Sequence, residues 1–134
     1  MRKTATVFAS IFGCTAVILG AFGAHGLRGA DIKPESLHAY ETAAHYQLLH
    51  AIALLAVVAL PTMFTKYFKP IAYLFMIGII LFSGSIYILV LGDALKFNAT
   101  WAGPITPLGG LCLIIGWFML FISALKYKEA PNNQ

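Results

Sequence analysis

Four long apolar runs, separated by short polar segments, account for most of the chain. They cover about residues 4–24, 43–64, 70–92 and 104–125. Each run is long enough to cross the hydrocarbon core of a bilayer, which takes about 20 helical residues. The pattern therefore predicts a single transmembrane domain over residues 1–134, an all-α integral membrane four-helix bundle with up-down topology.

Polar residues extend the second run toward its N-terminus. Pro34 suits the first position of a helix, and Glu35 is favourable near the positive end of the helix dipole. A helix from about Pro34 to Leu60 would be roughly 40 Å long, against roughly 30 Å for the hydrocarbon core. We therefore expect a long second helix that projects from the non-cytoplasmic side of the membrane.

Composition supports the membrane assignment. Sixty per cent of the 134 residues are hydrophobic and 10% are charged, whereas about a quarter of the residues of a soluble domain are charged. The net charge of +4 is too small to indicate nucleic-acid binding. The expected partners are therefore membrane lipids, with a homo-oligomer or a membrane-protein partner left open.

Basic residues are divided unequally between the two ends of the predicted bundle. Because such residues favour the cytoplasmic side, the division predicts that both termini are cytoplasmic. The more basic end holds Arg2, Lys3, Lys66, Lys69, Lys126 and Lys128, and the other end holds Arg28, Lys33 and Lys96.

Small residues recur on one face of three of the predicted helices. In lipid, helices associate where small residues allow the backbones to approach closely, and seven-residue spacing fits left-handed crossings. We expect these positions to pack the bundle internally, with an oligomer interface as the alternative. They are Gly13, Gly20 and Gly23 in the first helix, Gly78 and Ser85 in the third, and Gly109 and Gly116 in the fourth.

Polar side chains gather toward the non-cytoplasmic end, and they form the candidate polar or ligand site. Ionisable and polar groups within a span are costly and usually face the bundle interior. The simplest interpretation is hydrogen bonding across helices, with His50 and Tyr46 bonded to a hydroxyl such as that of Ser83, Ser85 or Tyr87, or to a carbonyl near the Gly-rich turn. The candidate residues are His25, Glu41, His45, Tyr46, His50, Tyr87 and Asp93.

Two other interpretations of this cluster stay open. Imidazole and carboxylate groups suit transition metals, so a metal or haem site would use His25, His45 and His50. Histidine also titrates near neutral pH, which allows a proton or small-solute pathway. No cofactor is predicted, because the histidines lack a metal-binding spacing. No motif of a nucleophile, an acid–base pair or a phosphate-binding loop indicates an enzyme.

Four segments carry a resemblance to a known family. They are Gly20–Leu27 (GAFGAHGL), Tyr46–Leu55 (YQLLHAIALL), Phe82–Tyr87 (FSGSIY) and Thr106–Gly110 (TPLGG), the last followed by Gly116-Trp117. On these the chain resembles the YgdD/YwdK family of small bacterial inner-membrane proteins, which carry a domain of unknown function. The resemblance implies a compact four-helix membrane protein and no particular reaction. We therefore expect a structural or accessory protein that acts through lipid or protein contacts.

Overall fold

The computed structural model describes residues 1–29, 32–60 and 66–127. Within them the chain forms four long α-helices and no strand. The helices are α1 (Arg2–Phe22), α2 (Pro34–Ala59), α3 (Phe68–Leu95) and α4 (Ile105–Leu125). All four are long and apolar enough to cross a membrane. The predicted all-α membrane fold is therefore confirmed.

Two short helical turns extend this pattern. A π-helical turn, Gly23–Leu27, continues α1, and a 3-10 turn, Thr100–Ala102, precedes α4. Pro34 opens α2 at its first position, as its fixed φ favours. The last residues of the span predicted over 43–64 lie outside the described residues.

Contacts between neighbouring helices show that the chain runs up and down. Along each pair, residues later in one helix meet residues earlier in the next, which requires antiparallel packing. The contacts are Phe12–Gln47 and Gly23–Tyr40 between α1 and α2, Ser36–Asp93 and His50–Phe75 between α2 and α3, and Ser85–Thr106 and Tyr67–Lys126 at the α3–α4 pair.

The four helices do not close into a symmetrical bundle. α2 and α3 lie at the centre, α1 packs mainly on α2, and α4 packs on α3. Among the described residues, no Cα atom of α4 lies within 8 Å of α1 or of α2. Because α2 and α4 both pack against α3 but not along each other, a groove remains between them.

Glycine allows α4 to approach α3 closely. A Cβ atom on Gly109 would collide with the backbone of Leu81 and Phe82, and one on Gly78 would collide with Leu113. At Gly116 the Phe75 ring lies 2.6 Å from where a Cβ would stand. Ser85 is also buried, and its hydroxyl lies 2.7 Å from that of Thr106. These four positions, spaced in sevens on each helix, lie in the α3–α4 contact.

In α1, some of the small residues that were expected to pack the bundle are in contact with another helix and others are not. Ala9, Ala16 and Gly23 are seven residues apart and buried, and Gly23 lies against the Tyr40 ring. Nothing lies within 4 Å of a Cβ built on Gly13 or Gly20. The prediction that these two glycines pack the bundle is therefore wrong within this chain, because they fall on the line next to the buried one.

Basic and aromatic side chains meet at the end that holds the start of α1 and the end of α4. The guanidinium of Arg2 lies 5.3 Å from the centre of the Phe68 ring. Lys126 Nζ donates a hydrogen bond of 3.2 Å to the Tyr67 hydroxyl, and this lowers the pKa of Tyr67. Lys66 also lies over the Tyr67 ring. Lys128, predicted at this end, lies outside the described residues.

Candidate functional site

The charged residues of the candidate site lie apart, at the end of the molecule away from Arg2 and Lys126. Glu41 is half-buried, and its carboxylate lies 3.9 Å from Arg28. Asp93 accepts a hydrogen bond of 3.0 Å from Ser36, which joins the start of α2 to the end of α3. These contacts hold helix ends together and do not converge on one point.

The histidines do not assemble into the metal site that was considered. His25, in the π-helical turn, and His45 are both exposed, whereas His50 is buried against α4. Among the described residues, no three His, Cys, Asp or Glu side chains are placed to hold a metal ion. The proposed set of His25, His45 and His50 is therefore wrong as a set, because His45 and His50 lie on different faces of α2.

His50 instead bonds to an aromatic side chain of α4. The Trp117 indole N–H donates to His50 Nε2 at 3.0 Å. An indole N–H only donates, so Nε2 must accept and the ring proton must be on Nδ1. That proton then meets the carbonyl of Tyr46, 2.7 Å away. The geometry thus requires a neutral His50 with both ring nitrogens satisfied.

Aromatic rings surround this hydrogen bond. Phe75 packs edge-on against His50, with centroids 5.6 Å apart, and it lies equally far from Trp117. Tyr46 packs on Phe82 with centroids 4.9 Å apart. Aromatic pairs at these separations are stabilising beyond the area they bury. The cluster therefore fixes the shape of the wall that α2, α3 and α4 share.

An apolar groove lies beside this wall, between α2 and α4. Its volume is about 690 Å³, within the range of roughly 300–1,000 Å³ of ligand pockets. We call it the α2–α4 groove. Its lining includes Tyr46, His50, Ala53, Phe82, Gly110 and Trp117.

A second groove lies on another face of α2, where it packs against α1. Its volume is about 430 Å³. Small residues line most of it, and Glu41 and His45 lie at one end. We call it the α1–α2 groove. Its lining includes Ala16, Gly20, Ala24, Glu41, Ala44 and His45.

Gln47 joins three helices, and sequence reasoning did not single it out. Its amide nitrogen donates to the Phe12 carbonyl at 2.9 Å and to the Thr15 hydroxyl at 2.7 Å. Its amide oxygen accepts from the Tyr87 hydroxyl at 3.0 Å. The side chain is only 4% exposed. A lone glutamine within an apolar run was the available signal, because such a group must find partners inside the protein.

The predicted hydroxyl partners of His50 have other roles. Ser83 donates to the carbonyl of Ala43 at 2.8 Å, and Ser85 pairs with Thr106. Tyr87 bonds to Gln47. Hydrogen bonding across helices was thus the right interpretation of His50, but the predicted partners were wrong, since helix α4 supplies Trp117.

The chain matches a family of membrane proteins. The model of the family described as "Protein of unknown function (DUF423)" matches residues 19–110. The chain therefore belongs to this family. A relative from Bacillus subtilis, the UPF0382 membrane protein YwdK, is 38% identical over 93% of this chain and 98% of its own length.

Other members of the family are similar over as much of the chain. A UPF0382 membrane protein of Staphylococcus aureus is 39% identical over 93% of this chain and 98% of its own length. The UPF0382 inner membrane protein YgdD of Escherichia coli is 34% identical over 92% of this chain and 90% of its own length. No solved structure gives a significant match. The resemblance seen in the four motifs is confirmed, and the names of these relatives specify a membrane protein without a reaction.

Proposed function

We propose that this protein is a non-enzymatic accessory protein of the bacterial inner membrane that acts through lipid contacts. Its central feature would be the α2–α4 groove, which would hold a stretch of a lipid acyl chain. The observation that carries the proposal is the groove itself, about 690 Å³ in volume and lined by aromatic rings, leucine and isoleucine side chains, and the small residues Ala53 and Gly110.

The chemistry of the groove favours an apolar occupant. Most of the lining is apolar, and both nitrogens of the His50 ring are already hydrogen-bonded. Apart from the Tyr46 hydroxyl at one end, a polar ligand would lose its own hydration there without gaining new partners, which is costly. An acyl chain has no hydration to lose, because lipid already surrounds it.

The length of the groove favours a chain over a partner helix. From Tyr46 to Ala53 on α2, and from Gly110 to Trp117 on α4, the groove extends for about 10 Å at 1.5 Å per residue. A transmembrane helix would need a contact surface closer to the roughly 30 Å of the hydrocarbon core. About two helical turns each of α2 and α4 form the groove, and this length suits a short section of a flexible acyl chain.

Filling the groove tests this proposal. A Cβ on Gly110 would meet only Phe82 ring atoms, at 3.6 and 3.8 Å, so Gly110→Leu should fold and project into the groove. We expect this variant to retain fewer phospholipids in native mass spectrometry after mild detergent extraction. Gly84→Leu is the matched control, because nothing lies within 4 Å of that position and it does not line the groove.

The comparison of these two variants has two informative outcomes. Loss of bound lipid from Gly110→Leu alone supports the proposal. Equal lipid retention by the wild type, Gly110→Leu and Gly84→Leu, all with the same melting temperature, would show that no chain is held in the α2–α4 groove.

We also propose that both termini face the cytoplasm. The support is the gathering of Arg2, Lys66 and Lys126 at one end of the bundle, since basic residues favour that side. A C-terminal green fluorescent protein should then fluoresce, and a C-terminal alkaline phosphatase should be inactive. Active phosphatase at the C-terminus would reverse the orientation.

A further inference from the structure

The α1–α2 groove combines an apolar furrow with a charged end. Ala16 and Gly20 of α1, Ala24 of the π-helical turn and Ala44 of α2 line it, so that most of the furrow has small side chains. Gly20 leaves it open, because no atom lies within 4 Å of where its Cβ would stand. The furrow can therefore receive a chain without rearrangement of either helix.

Charges of both signs stand at one end of this furrow. The Glu41 carboxylate and the Arg28 guanidinium are 3.9 Å apart, with their side chains 39% and 67% exposed. That distance exceeds a hydrogen bond, whose usual limit is about 3.2 Å. Both groups therefore keep hydrogen-bonding capacity for a ligand that carries a cation and an anion.

The depth of Glu41 suits the boundary between acyl chains and headgroups. The 26 residues of α2 correspond to about 39 Å, and the hydrocarbon core takes up roughly 30 Å of this. Glu41 stands seven residues after Pro34, which begins the helix, or about 10 Å along it. A chain lying in the furrow would thus bring its headgroup to Glu41 and Arg28.

We propose that the α1–α2 groove binds a phospholipid with a primary ammonium headgroup, of the phosphatidylethanolamine class. The Glu41 carboxylate accepts hydrogen bonds from the ammonium, and Arg28 donates to the phosphate, which guanidinium groups recognise well. One acyl chain lies along Gly20. This site is separate from the α2–α4 groove and does not depend on the function proposed for that groove.

The charges discriminate among common headgroups. A choline headgroup is cationic but has no N–H to donate to Glu41. A glycerol headgroup has no cation, so a lipid that carries it brings uncompensated negative charge toward the carboxylate. Because hydrogen bonds to charged groups are stronger than neutral ones, the ethanolamine headgroup should be preferred over both.

Competition between headgroups tests the proposal. The full chain is reconstituted in nanodiscs of equimolar phosphatidylethanolamine, phosphatidylcholine and phosphatidylglycerol with identical acyl chains, and retained lipids are counted by native mass spectrometry. In Gly110→Leu, whose α2–α4 groove is filled, we expect the ethanolamine lipid to exceed each of the others by about tenfold among the retained lipids, as one charge-assisted hydrogen bond would give. The wild type should show a smaller excess, because its α2–α4 groove holds lipid without regard to the headgroup. Glu41→Gln should remove this preference.

Two leucine variants locate the preference in the furrow. Gly20→Leu should abolish it by filling the furrow. Gly13→Leu should leave it intact, because that position is equally open and does not line the groove. Gly110→Leu should keep the ethanolamine preference while it loses the lipid of the α2–α4 groove, which separates the two sites.

Equal retention of the three lipids by the wild type would overturn the proposal. So would an ethanolamine preference that survives in both Glu41→Gln and Gly20→Leu, with melting temperatures unchanged.

Discussion

Several polar residues in the spans of this protein bond to partners on other helices. Gln47 bonds to α1 and α3 at once, and His50 bonds to Trp117 of α4. The sequence shows that such residues must be satisfied inside the protein, because lipid offers no hydrogen bonds. It does not show which neighbour satisfies them, since that depends on how far each helix is rotated about its axis. This is why the predicted partners of His50 were wrong.

Replacing Gln47 measures how much the hydrogen-bond network that joins three helices contributes to the free energy of unfolding. Gln47→Leu leaves the hydroxyl of the half-buried Tyr87 without its acceptor. We expect the free energy of unfolding in detergent to fall by about 1–2 kcal/mol, the usual range for such bonds within membranes. Thr42→Val is the control, because the Thr42 hydroxyl bonds only to the His38 carbonyl of its own helix. Equal stability of both variants and the wild type would mean that the network contributes nothing.

At the scale of elements, the spacing of small residues was informative for α3 and α4 but not for α1. Gly78 and Ser85 of α3, and Gly109 and Gly116 of α4, follow seven-residue lines, and both lines are in the α3–α4 contact. In α1, two such lines lie side by side. One is buried, and the other, at Gly13 and Gly20, has no atom within 4 Å of a Cβ built there. Spacing identifies a smooth line on a helix. It does not decide which of two adjacent lines faces the neighbour.

Adjacent glycines of α4 provide a test of the α3–α4 contact. Gly109→Ala places a methyl group against the backbone of Leu81 and Phe82, which cannot move aside as a side chain can. Overpacking of this kind costs about 1–3 kcal/mol, which denaturant titration in detergent would detect. Gly110→Ala should be nearly neutral, because its neighbours are ring atoms at 3.6 Å or more. If Gly109→Ala were as stable as Gly110→Ala, α4 would not approach α3 as described.

At the scale of the whole molecule, hydrophobic runs predicted the number of helices, their antiparallel order and their membrane environment. They did not predict that α4 packs along α3, meets α2 only through side chains and leaves the α2–α4 groove. Residues such as Gly110 and Trp117 look like ordinary positions in an apolar span when only their periodicity is considered. The groove exists because of the relative placement of three helices, and that placement arises from contacts far apart in the chain.

The direct test of a lipid chain in the α2–α4 groove is to map where such a chain contacts the protein. The wild type would be reconstituted with a phospholipid whose acyl chain carries a photoreactive diazirine at its middle, irradiated, digested and analysed by mass spectrometry. Apart from labels in the α1–α2 groove, we predict that labels concentrate in residues 46–53 and 110–117, and that Gly110→Leu removes them there. Labels spread evenly over outward-facing positions of α1 and α4, such as Ile11, Ile18 and Phe121, and unchanged in Gly110→Leu, would contradict a lipid chain in the α2–α4 groove.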